Sequence, residues 1–237
     1  MKIIAALAAS GLLLSAGVPA LAQDTGVAEI VVTAQRMTDY DPSETPYVAM
    51  RKRADNLIVT VRVICDTRDP DQRKGELMAT LKALVKLADQ HGVALGVEDE
   101  DEDDVMVTLD PAKLEAMIGG GGKPDTSMVS FTLKTKILPT DTYGSATGRI
   151  EAFVRKTPKV GRTEVLLQSD WNLTLFGPEQ YRDQIIAQVA ADARKTAGAF
   201  GPDYGVSVEG LTLPVTWYQS GPLELALYIP YRQRVER

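Results

Sequence analysis

The chain has 237 residues, 24% of them charged, with 32 acidic against 26 basic side chains and a formal net charge of −6. An acidic balance of this size favours solubility and argues against nucleic acid or an anionic membrane surface as a partner. A single cysteine excludes an internal disulfide, and a single histidine leaves little for a His-based triad or a zinc site.

In chain order, the first element is an export signal. Lys2 supplies a positive start, Ile3 to Leu14 form a short apolar core, and Ala20-Leu21-Ala22 before Gln23 reads as an A-x-A cleavage site. Residues 1–22 are therefore expected to be removed, which places the mature chain in the periplasm, away from ATP and nicotinamide cofactors. No later apolar run approaches the roughly 18 residues a membrane helix needs, so no transmembrane segment is expected.

Residues 23–55 read as an N-terminal extended segment and loop, with one β-prone run, Glu29 to Arg36 (EIVVTAQR), and a Pro-containing stretch from Thr38 to Pro46. The α+β domain proper is expected over 56–237. Its first strand is Asn56 to Cys65, where Leu57, Val59, Val61, Val63 and Cys65 alternate onto one side. On that pattern Cys65 is a buried core residue, since a reactive thiolate needs exposure and cationic neighbours.

After Asp69-Pro70 a helix begins. Leu77, Leu81, Leu84, Val85 and Ala88 share one face, and His91-Gly92 ends it, with Gly92 suited to the left-handed position. Short strands follow at Val93 to Val97 and Val105 to Leu109, joined across the acidic run Glu98 to Asp104. Asp99, Asp101, Asp103 and Asp110 fall at calcium-loop positions. Asp104 stands where such a loop needs glycine, so a solvated hairpin tip is the stronger reading. Asp110-Pro111 opens a brief helical turn, and Gly119 to Gly122 read as a flexible linker, Lys123-Pro124 not completing a phosphate loop.

Val129, Phe131, Leu133 and Ile137 then alternate with polar residues in a one-sided strand. A helix carrying Ala146, Ile150, Phe153 and Val154 on one side leads to a long strand, Arg162 to Phe176. Gly177-Pro178 turns into a helix whose stripe runs Tyr181, Ile185, Val189, Ala193, Ala197, Phe200. Tyr204 to Leu213, Val215 to Gln219 and Leu223 to Tyr231 are the last strands.

One-sided strands with one-sided helices describe an α+β fold, helices packed on one face of a largely antiparallel sheet. Strand-helix-strand recurs around 57–97 and 129–211, the pattern of a duplicated unit.

Three stretches resemble the SIMPL family of secreted bacterial proteins: Ile30-Val31-Val32-Thr33 with Leu57-Ile58-Val59-Thr60-Val61, the helix Leu77 to Gln90 into Gly92-Val93, and Ala190, Ala193-Arg194-Lys195, Ala197 into Phe200-Gly201 and Tyr204-Gly205-Val206. Where that family's first strand carries Gly-x-Gly, this chain has Ala34-Gln35-Arg36. The resemblance implies an exported, non-catalytic binding or scaffold protein that self-associates, with no cofactor and no catalytic residues. EIVVTAQR is also similar to the TonB box, an extended peptide that adds to a periplasmic coupling protein by strand pairing. Glu29, Ile30, Val31, Val32, Thr33 and Ala34 are thus candidate partner-binding residues of an accessory to TonB-linked uptake, or else the first strand of the domain. A carboxylate-based hydrolase stays open as a third reading, because the fold, not the spacing, brings two acids together.

Overall fold

The computed structural model describes residues 28–32, 47–98 and 105–237. At its centre lies β3 (Asn56–Cys65), paired antiparallel with β7 (Ser127–Lys136) on one side and with β8 (Thr163–Phe176) on the other. The register sets Val59, Val61 and Val63 opposite Leu133, Phe131 and Val129, so the apolar sets of both strands fall on one face. β4 (Val93–Glu98) extends that face, with Leu95 opposite Leu133.

Two helices cover it. α1 (Pro70–Ala88) starts where the Asp69 side chain accepts from the Gln72 N–H and Pro70 occupies the first turn. It buries Leu77, Leu81, Leu84 and Ala88, and a short 3₁₀ turn then ends at Gly92, left-handed as expected (φ 61°). α2 (Tyr143–Lys156) is held by a reciprocal Thr142/Ser145 capping box and buries Ala146, Ile150, Phe153 and Val154. Each fully buried Leu or Phe here stabilises the fold by about 1.5–3 kcal/mol through removal of its surface from water.

The strand order β8-β3-β7-β4 interleaves two strand-helix-strand units, β3-α1-β4 and β7-α2-β8, in the ferredoxin-like, split βαβ arrangement. The duplication is therefore real as topology, although its second unit ends at Phe176 rather than continuing to residue 211.

The sheet is extended at both ends, by β1 (Glu29–Val32) on β8 and by β5 (Met106–Thr108) on β4. It curls far enough for Ile30 to bridge Val105, so its first and last strands meet. Val31, Ile58 and Met106 form a small separate cluster on the face away from the helices. Gly119 and Gly120, read from sequence as part of a linker, form β6 (Gly119–Gly120) against Ser127 and Met128, because β7 still has an unpaired edge there.

A second apolar cluster sits where α3 (Arg182–Phe200) packs through Ile185 and Val189 over Leu57, Leu173 and Leu175, again on the helix-bearing face. The stripe stops short of its expected end: Phe200 is 57% exposed, its ring tilted against that of Tyr204. A three-stranded sheet completes this end, in the order β10 (Thr216–Gly221), β11 (Glu224–Tyr228), β2 (Met50–Arg53), and β9 (Gly205–Glu209) pairs with β12 (Arg232–Glu236). Leu223, Leu225, Leu227 and Ile229 all face the cluster. Strands β1 and β2 lie in what the sequence marks as an N-terminal segment and loop, yet both are paired parts of the domain. The segment Leu223 to Tyr231, expected as one strand, ends at Tyr228, and the arginine-rich tail beyond it forms β12.

Among the described residues, no helix is long and apolar enough to cross a membrane.

Candidate functional site

An irregularity of the central sheet lies beside a depression in the surface. Val61 faces Leu167 and Val59 faces Trp171, so β8 spends four residues where β3 spends two. Gln168, Ser169 and Asp170 stand opposite Thr60 alone, an excess of two residues. Such a bulge bends its strand and re-aims its side chains.

The depression beside it has a volume of about 730 Å³ and is lined by Thr60 and Arg62 of β3, Gln168 to Asn172 of β8, Tyr143 of α2, Gln219 of β10 and Pro222 of the β10–β11 turn. A smaller one of about 270 Å³ is lined by Arg53, Asp141, Thr142, Tyr143, Pro222, Leu223 and Glu224. The two share Tyr143 and Pro222, so they adjoin.

The surrounding frame is firmly held. Asp141 takes both Arg149 Nη1 (2.7 Å) and Nη2 (2.6 Å), together with the Leu138 N–H and the Ser145 hydroxyl. Arg149 beside it holds the Asp141 carboxyl well below the usual carboxylate range. Arg149 also donates to the Lys136 carbonyl, tying the start of α2 to the end of β7. Arg53 donates through Nη2 to the Asp141 carbonyl, which joins β2 to the same corner. Tyr143, the first residue of α2, is 41% exposed, and its partial burial raises the phenol's pKa, so it stays a neutral donor and acceptor.

Hydrogen bonding in the neighbouring β2 and β10 strands is less complete. Gln219 donates through Nε2 to the Gly221 carbonyl, but its Oε1 is buried without a partner, as is Arg53 Nε. Trp217 Nε1 and Ser220 Oγ on β10 are in the same condition. Buried polar atoms are ordinarily matched, and two of these four, on Gln219 and Arg53, belong to residues that line the depressions. The cleft offers amides, hydroxyls, two aromatic rings and side chains of both signs, which is the chemistry of hydrogen-bonded recognition.

The candidate residues singled out from sequence lie elsewhere. Glu29, Ile30 and Val31 are buried in β1, and Val32 pairs with Leu173; Thr33 and Ala34 lie outside the described residues. Glu29 is 4% exposed and accepts from Asn56 Nδ2 (2.6 Å), the Thr174 hydroxyl and Lys134 Nζ. A partner taking up this strand has to strip it from β8 and break that cluster.

Asp99 to Asp104 lie outside the described residues, while Asp110 caps the turn that follows by accepting from the Ala112 N–H. His91 rests near Phe153, ring centroids 6.0 Å apart, at the end of the α1 segment.

Cys65 is fully buried, its thiol donating to Glu76 Oε2 at 3.4 Å. That carboxylate also takes the Thr67 hydroxyl, the Arg162 N–H and the Gln72 amide, and these donors bring its pKa down to about 2. Gly161 lies directly over it in a left-handed conformation (φ 57°), where any side chain would collide with the carboxylate.

The cleft residues were not singled out from sequence. One signal was available: Gln168-Ser169-Asp170 interrupts the apolar alternation of an otherwise long strand, which is how a bulge reads in one dimension. Neither a family model, nor a curated protein, nor a solved structure matches the chain.

Proposed function

We propose that this chain is an exported, non-catalytic binding protein, and that the cleft over the β8 bulge is where it takes a polar ligand. The observation that carries the reading is that each of the two adjoining depressions has an unmatched polar atom in a residue that lines it, Gln219 Oε1 in the larger and Arg53 Nε in the smaller. A rigid frame on one side and unfilled hydrogen-bonding capacity on the other suit recognition better than turnover. Asp141, the carboxylate most firmly placed in the site, is committed to Arg149 and held ionised, the opposite of what a general acid needs. The export half of the reading rests on the leader-like residues 1–22.

The test expresses the full chain and takes two readouts. The soluble species in the extracytoplasmic fraction should have a mass beginning at Gln23. The same species should gain thermal stability in mixtures of polar metabolites, and Arg62→Ala should lose that gain while keeping its own Tm. An uncut chain retained in the cytoplasm ends the export half. A gain unchanged in Arg62→Ala removes the cleft from the reading, and conversion of a bound compound to product replaces binding with catalysis.

A further inference from the structure

We propose that the two adjoining depressions form one track for an uncharged oligosaccharide, which crosses Tyr143 at their joint; this assignment rests on the binding-protein reading above and names its ligand class. The first argument is continuity. Tyr143 and Pro222 belong to both depressions, so a ligand longer than one ring unit in the larger can continue into the smaller.

The second argument is the kind of hydrogen bond left open. Gln219 Oε1 calls for a donor, and Arg53 Nε calls for an acceptor. A sugar hydroxyl is both. A carboxylate has nothing to donate to Gln219, and an ammonium has nothing to accept from Arg53. Both atoms are shielded from solvent, so engaging them requires a side-chain rotation in the wall, and their buried, unmatched state is what such a rotation relieves.

Charge and ring chemistry agree. Arg53 and Arg62 line the track together with Asp170 and Glu224, while Asp141 is already neutralised by Arg149, so no single sign of field selects an ion. Tyr143 offers a half-exposed aromatic ring at the joint, an apolar surface for the C–H face of a pyranose.

The experiment is calorimetric titration of the mature protein with neutral tetrasaccharides of glucose and of N-acetylglucosamine, their monosaccharides, a galacturonate tetrasaccharide and tetra-alanine. A neutral tetrasaccharide should bind at least about tenfold more tightly than its monosaccharide. Tyr143→Ala should cost about tenfold or more in affinity at unchanged Tm, and Tyr143→Phe, which keeps the ring, should restore it. Equal affinity for the monosaccharide, or full affinity in Tyr143→Ala, overturns the track. Preference for the galacturonate chain overturns its neutrality. Binding of tetra-alanine alone, or silence from every sugar while the metabolite-induced gain in Tm persists, overturns the sugar assignment and leaves the binding reading standing; loss of both ends both.

Discussion

The two ends of this molecule treat buried polarity in opposite ways. In the interleaved βαβ half, the carboxylates that turn inward are matched: Glu76 takes four donors, and Glu29 takes an amide, a hydroxyl and an ammonium, while among the described residues Thr163 Oγ1 at the start of β8 stays unpartnered. Four of the five buried unpartnered side-chain atoms among the described residues belong instead to Arg53, Trp217, Gln219 and Ser220 of the β10-β11-β2 sheet. An unmatched buried group costs about 1–3 kcal/mol, so a chain carrying several in one place is giving up stability there. The well-matched half is the support, and the site is built where the support meets the unmatched sheet.

Three measurements press on that contrast, beginning with the largest effect. Phe153 is fully buried between α2 and the sheet, and Phe153→Ala should lower the unfolding free energy by about 3–5 kcal/mol in a urea titration. A loss below about 1 kcal/mol would mean that the βαβ half is not the rigid partner.

Next comes pH. Glu76 has its carboxyl depressed from its ordinary 4.5 to about 2 by the Thr67 hydroxyl first, then by the Arg162 N–H and the Gln72 amide. A depressed carboxylate stabilises the fold fully above its unfolded pKa and loses that contribution as pH falls through the folded one. Thermal melts between pH 6 and 2 should therefore show a decline in Tm from about pH 4.5 downward, and Glu76→Gln should flatten its own share of that decline. A variant that falls as steeply as the parent removes Glu76 from the matched set.

The smallest effect comes from the other half. Ser220→Ala deletes a buried hydroxyl that has no partner, so stability should stay level or rise by up to about 1 kcal/mol. A loss of that size would show the hydroxyl to be matched after all and would blur the difference between the two ends.

The same division governs what can be read from the sequence. α1, α2, β3 and β7 each carry a complete apolar stripe, because one face of each meets the main core, and the stripes name the helix-bearing face as well. β2 could not be read this way. Met50-Arg51-Lys52-Arg53 looks like a basic patch and becomes a strand only because β11 offers it an edge. β12 is the same case against β9. The cleft was illegible for a related reason: its walls come from β3, β8, α2 and the β10–β11 turn, and no spacing along the chain foretells that Tyr143 and Pro222 stand together. Phe200 shows the reverse error, a periodic residue whose helix outruns the surface it packs on.

The seating of β1 sets an order on events during synthesis. Its hydrogen-bonding partner strand runs to Phe176, and the Thr174 hydroxyl that reaches Glu29 lies 145 residues further along the chain. The segment made first is therefore among the last that can be placed, and until β8 has emerged Ile30 and Val31 have no β8 to pair with. Contacts of such long range slow folding, because the loop between them must be closed before they return any energy. With β1 unseated, Ile30 cannot bridge Val105 and the curled sheet stays open, so closure of the domain waits on the synthesis of β8.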